Sequence, residues 1–139
     1  MITTLTTKVS TQMNSFPADS TAAGEPIKLV PKGWGYEKWI VNCDEYCGKL
    51  LHFVKGKKCS WHYHKLKDEV FYIQSGRLIL YWGWDDDFGN ARRMELNQGD
   101  KFHVPVGMRH QMKAKEDTIM YEFSTQHFDD DSYRVKKGD

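Results

Sequence analysis

The chain has 139 residues, 40% of them hydrophobic, and its 20 Lys and Arg against 19 Asp and Glu leave a formal charge of +1. That length suits one domain able to bury about two-thirds of its unfolded surface, and the balanced charge offers neither a nucleic-acid footprint nor a polybasic membrane anchor. No stretch approaches the roughly 18 apolar residues of a membrane-spanning helix, and the Thr- and Ser-rich start lacks an apolar secretory core, so a cytoplasmic protein is expected.

In chain order, residues 1–25 are polar and end at Gly24-Glu25-Pro26. Such a segment cannot bury enough surface to order itself, so a flexible tail is expected ahead of a single domain over residues 26–139. Ile27–Val30, a short apolar patch before Pro31, suits an edge strand. Cys43, Cys47 and Cys59 are odd in number, and the first two are spaced as neither a redox pair nor a zinc knuckle, so free thiols are expected.

From Tyr36 onward the apolar period is two. Tyr36–Val41, Lys49–Val54, Ser60–His64, Glu69–Ser75 and Arg77–Trp82 are rich in β-branched and aromatic residues and broken by turn formers. Ala91–Leu96, Lys101–Val104, His110–Ala114 and Thr118–Phe123 keep the rhythm. About nine or more short strands with almost no helical pattern predict an all-β antiparallel sandwich or barrel. Trp84–Asn90 reads as the turn of a long hairpin, and its run Asp85-Asp86-Asp87 lacks the alternate spacing of a calcium loop. Asp129–Ser132 suits one short helical turn, since carboxylates are favourable at a helix start.

Residues two apart on a strand share a face, which turns His62 and His64 inward together with Ser60, while Trp61 and Tyr63 face away. Glu69 opens the next strand after a four-residue turn, short enough to bring its carboxylate to the two imidazoles, and Phe71 and Ile73 follow on the same face as a dry wall. His110, behind the reversing turn Pro105-Val106-Gly107-Met108-Arg109, supplies a third imidazole. Three nitrogens and one carboxylate oxygen leave a divalent metal one or two open positions, as a catalytic site needs. A single strand histidine is more often an ordinary hydrogen-bonded residue; the combined spacing carries the metal reading. His103 reads as structural or exposed, and the orientation of His52 is left open by its position on the preceding strand.

The spacing Gly56-x5-His62-x-His64-x4-Glu69-x6-Gly76, followed by Gly99-x5-Pro105-x-Gly107-x2-His110, resembles the two motifs of the cupin superfamily. It departs only at Ala114, where the pattern often carries Asn at a position that does not bind metal. The resemblance covers residues 33 to about 125 and implies a jelly-roll β-barrel with His62, His64, Glu69 and His110 holding one divalent transition metal: Zn, Mn, Fe, Ni or Co. The flanks Gly33-Trp34-Gly35-Tyr36-Glu37-Lys38, Lys49 and Tyr121-Glu122-Phe123-Ser124-Thr125-Gln126 look like the corresponding parts of type II mannose-6-phosphate isomerase domains. Two departures set the chain apart from those domains: His62 stands where they usually carry Gln, and Lys65-Leu66-Lys67-Asp68 replaces a basic, His-rich turn.

The resemblance implies a metal-dependent sugar or sugar-phosphate isomerase acting on a small-molecule substrate, and Lys49, Glu122 and His52 are the candidates for its general base because they can titrate and lie on strands adjoining the motif. Arg109, beside His110, is the candidate for a substrate phosphate or carboxylate. An Fe(II)-dependent dioxygenase and a non-catalytic small-ligand binder are the alternatives, because fold and metal do not by themselves name a reaction. A homodimer is expected, with Trp34, Trp39 and Trp61 lying outside the core and needing cover.

Overall fold

The computed structural model describes residues 26–139, and the tail expected over residues 1–25 lies outside the described residues. Eleven strands follow in chain order among the described residues. They are β1 Lys28–Lys32, β2 Gly35–Asn42, β3 Cys47–Phe53, β4 Trp61–Tyr63, β5 Glu69–Ser75, β6 Arg77–Gly83, β7 Arg92–Asn97, β8 Lys101–Val104, β9 Arg109–Ala114, β10 Thr118–Ser124 and β11 Tyr133–Lys136. Single 3-10 turns lie at Phe88–Asn90 and Asp129–Asp131, the second where a helical turn was expected.

The strands form two antiparallel sheets in a jelly roll, ordered β1-β2-β3-β10-β5-β8 and β11-β4-β9-β6-β7. Leu51, Phe53, Phe71, Ile73 and Met120 from the first sheet meet Leu78, Leu80, Leu96 and Met112 from the second in one core. Full burial of such side chains is worth about 1.5–3 kcal/mol each, and it fixes the register, because a slip of one residue would turn every one of them outward.

The same alternation carries charge inward. On β3 the buried residues are Cys47, Lys49, Leu51 and Phe53, on β5 Glu69, Phe71 and Ile73, and on β10 Thr118, Met120 and Glu122. β10 lies between β3 and β5, with Glu122 opposite Lys49 on one side and Phe71 on the other. Three charged side chains thus enter one end of the barrel as a direct consequence of strand period.

β1 forms the edge of the first sheet and carries Pro31, as a residue without an N–H requires. β11 has no counterpart in the expected strands; its sequence Tyr-Arg-Val-Lys is short and charged, and it exists through pairing with β4. Two expectations for the aromatics are corrected. Trp34 is buried, stacked on Phe53 with ring centroids 4.0 Å apart. Trp61 does face away from the barrel interior, yet it is fully covered by the β6–β7 loop, donating its indole N–H to the Asp86 carbonyl at 3.0 Å and meeting Phe88 edge-on. Two of the three tryptophans invoked for a dimer interface are therefore internal. No helix among the described residues is long and apolar enough to cross a membrane.

Candidate metal centre

β4 and β9 are neighbours in the second sheet, and their pairing sets His62 directly opposite His110. His64 follows one residue after β4 ends. The turn before β9 reverses at Gly107, whose φ of +88° suits glycine, and its N–H donates to the His64 carbonyl at 2.9 Å, so the two ligand-bearing loops are tied together. One ring nitrogen from each of His62, His64 and His110 lies within 4.8 Å of the others. Glu69 approaches from the facing sheet as the first residue of β5.

The tautomers are fixed by the backbone. His62 Nδ1 lies 2.8 Å from the Ser60 carbonyl, His64 Nδ1 2.8 Å from the Asp131 carbonyl and His110 Nδ1 3.0 Å from the Met108 carbonyl. A carbonyl oxygen only accepts, so each Nδ1 carries a proton and donates it, and in the neutral ring Nε2 is left with its lone pair. Burial, reinforced by the neighbouring His110 and His64, holds His62 well below the ordinary histidine range, so its ring is neutral.

The carboxylate completes the arrangement. Glu69 Oε2 lies 3.1 Å from His64 Nε2 and 3.3 Å from His110 Nε2, and it is buried with no hydrogen-bond partner. Burial opposes ionisation of Glu69 and the Lys67 ammonium acts the other way, and the carboxyl is held well below its usual range. An orphaned carboxylate oxygen facing two imidazole lone pairs has need of a shared cation. Donors bonded to one transition-metal ion at about 2.1 Å stand about 3.0–3.4 Å apart, which matches both separations. The donor set of nitrogen and carboxylate oxygen suits Zn, Mn, Fe, Ni or Co. The residues present fit a divalent metal.

The triad borders a cavity of about 480 Å³, whose lining also includes the apolar Trp34, Leu51, Phe53, Phe71 and Met112 and the polar Glu37, Glu122 and His127. Lys67, 3% exposed, joins these groups: its ammonium lies 3.1 Å from Glu122 Oε2, 3.1 Å from His127 Nδ1 and 3.9 Å from Glu69 Oε1. Glu122 Oε2 also accepts from the Ser124 hydroxyl at 3.1 Å. Glu122 itself lines the cavity.

Of the proposed base residues, Glu122 therefore sits at the cavity. Lys49 is buried, its ammonium 3.5 Å from Glu37 and 4.3 Å from the centre of the Trp39 ring, and it does not line the cavity. His52 is corrected: strand alternation turns it to the outer face of β3 against Tyr36, away from the cavity. Arg109 is corrected as well, because it lies outside the cavity, stacked 3.7 Å over Tyr63 and bound to Asp86 at 2.9 Å. Its neighbour His110 faces in, and adjacent strand residues point to opposite faces. His103 is exposed and pairs with Asp68 at 2.7 Å.

Lys67, His127 and Asp131 were not anticipated. Lys67 had a signal, since it precedes Glu69 by two and shares its parity. His127 and Asp131 reach the site from more than 55 residues away, which no local pattern reports.

A family model described as a cupin domain matches residues 49–125, more than half of the chain. Among solved structures, the capsular polysaccharide assembling protein CapF from Staphylococcus aureus superposes with a TM-score of 0.71 at 18% identity, covering 91% of this chain and 38% of that one. Oxalate decarboxylase from Bacillus subtilis gives 0.68 at 15% identity over 78% of this chain and 30% of that one, and KdgF from Halomonas sp. 0.61 at 21% identity over 76% and 90%. The chain thus spans little more than a third of CapF and less than a third of the decarboxylase. At these identities the likeness is one of fold. No curated protein matches the chain.

Proposed function

The chain belongs to the cupin family, and we propose that it is a metal-dependent enzyme that isomerises a small anionic sugar, such as a sugar phosphate or sugar acid, by moving a proton between neighbouring carbons. The observation that carries this reading is Glu122, a carboxylate that lines the same cavity as the three histidines and is held at Oε2 by Lys67 and Ser124.

His62, His64, His110 and Glu69 would hold a divalent ion, which would supply Lewis-acid polarisation of a substrate carbonyl and so acidify the C–H of the adjacent hydroxyl-bearing carbon. Glu122 takes that proton and returns it to the former carbonyl carbon while the hydroxyl proton passes to the former carbonyl oxygen, and Lys67 holds the Glu122 carboxylate in place. Leu51, Phe53, Phe71 and Met112 keep bulk water from the reacting carbons.

The anionic character rests on the lining cations. Lys28, Lys32, Arg134 and Lys137 border the cavity without an ion-pair partner among the described residues, whereas Glu37, Glu69 and Glu122 each have a lysine. The remaining lining carboxylates are Asp129, paired with His127, and Asp139, whose Oδ2 accepts the Lys58 N–H, and a phosphate or carboxylate would find positive charge beside them.

The test is a turnover screen of aldoses, their phosphates and their acids against Mn, Fe, Co, Ni and Zn, with D2O exchange at the transferred position read by NMR. Metal-dependent, oxygen-independent ketose formation with solvent deuterium incorporation is the expected result. Oxygen uptake that requires added Fe(II) overturns it in favour of a dioxygenase. Saturable ligand binding with no turnover on any metal overturns it in favour of a binding module.

A further inference from the structure

Asp131 ends the 3-10 turn that precedes β11, and it is 3% exposed while Asp129 and Asp130 beside it are exposed. Its two polar ends reach two different parts of the metal centre. The carbonyl oxygen accepts the Nδ1–H of His64 at 2.8 Å. The carboxylate is met by three successive backbone N–H groups: Lys65 donates to Oδ1 at 2.9 Å, Leu66 to both oxygens at 3.1 and 3.3 Å, and Lys67 to Oδ2 at 3.0 Å. Successive N–H groups converging on an anion form a nest, and hydrogen bonds to an ionised acceptor are about twice as strong as neutral ones.

The turn gripped in this way joins His64 to Glu69, so one carboxylate holds the connection between two metal donors. The same turn carries Lys67, whose ammonium reaches Glu69 and Glu122. The other two imidazoles are oriented locally, His62 by the Ser60 carbonyl and His110 by the Met108 carbonyl, each two residues away. His64 alone of the three takes its orientation from a remote segment, 67 residues further along the chain.

We propose that Asp131 is a positioning residue for the metal centre, fixing the His64 ring through its carbonyl and the His64–Glu69 turn through its carboxylate, and so setting how tightly the site holds its ion. This rests on the metal reading of the histidine cluster, and the experiment separates the two. The full chain is titrated with Co2+, with affinity read by competition against a chromophoric chelator and ligand set read from the visible absorption bands. The wild-type chain is the control: no Co2+ uptake there sinks the metal centre itself.

Given wild-type uptake, Asp131→Ala weakens Co2+ binding about 10–100-fold, the usual effect of losing a group that orients a ligand, and shifts the visible bands as His64 leaves the ligand set. Asp131→Asn keeps the side-chain volume and one acceptor oxygen and recovers part of that affinity. Asp130→Ala, one residue away and exposed, leaves affinity and spectrum unchanged. An alanine variant that melts at lower temperature yet binds Co2+ with wild-type affinity and spectrum makes Asp131 a structural staple and overturns the proposal. If the alanine variant does not fold, the comparison is read on Asp131→Asn, where affinity within twofold of wild type and unchanged bands overturn it equally.

Discussion

Lys67 shows how a carboxylate keeps its charge inside a barrel. A lone buried anion would take up a proton instead, but this ammonium serves Glu69, Glu122 and His127 at once. On this account Glu122→Gln lowers turnover about 10²–10⁴-fold, the range for loss of a general base, and leaves bound metal unchanged; steady-state kinetics with elemental analysis of the same sample checks both halves. His127 provides a second test at this scale. Burial, then the positive charges of Lys49 and Lys67, push its pKa down from 6.5 to about 4. The folded chain therefore binds fewer protons than the unfolded one between those values. Its contribution to stability is fully present above pH 6.5 and is lost as pH falls towards 4. Thermal melts across that window fall with pH in the wild type, and His127→Gln flattens that slope.

At the scale of strands and turns, the account depends on alternation and on a few tight reversals. Gly76 joins β5 to β6 at φ +89°, and a Cβ there would stand 2.3 Å from the Asp117 carbonyl oxygen and 2.7 Å from the Thr118 Cα. Gly107 has a similar φ of +88° but open space around it. Gly107→Ala is expected to cost about 1–2 kcal/mol from backbone strain alone, and Gly76→Ala more than about 3 kcal/mol because backbone must also shift. Denaturant unfolding of the two variants side by side measures the difference. This is also the scale at which the sequence was most readable. Period two placed His62, Glu69, Phe71 and Ile73 on the inner face, and the glycines marked the reversals around them. What it missed depends on distant partners. Trp61 looks exposed by alternation and is buried because the β6–β7 loop folds back over it. β11 and its neighbour Asp131 take their positions from β4 and His64, far away in sequence. Lys67 enters the sequence reading only as a member of the Lys65–Asp68 turn, although its parity with Glu69 points inward.

At the scale of the whole molecule, the candidate centre bridges the two sheets. His62, His64 and His110 come from the β4–β9 side and Glu69 from β5 opposite, so an ion held by all four is a cross-link through the core. A ligand that binds only the folded state stabilises it by about 2.7 kcal/mol at a hundredfold excess over its Kd. Chelation is therefore expected to lower the melting temperature and re-addition of metal to restore it. The most direct test of the centre is metal content. The wild-type chain, stripped, offered Mn, Fe, Co, Ni or Zn in turn and desalted, is analysed by elemental mass spectrometry beside a His62→Ala, His64→Ala, His110→Ala variant shown by circular dichroism to keep its β structure. The account predicts about one ion per wild-type chain with at least one of these metals and none in the variant. A wild-type chain that retains none of them, or a folded variant that retains a full complement, would contradict it.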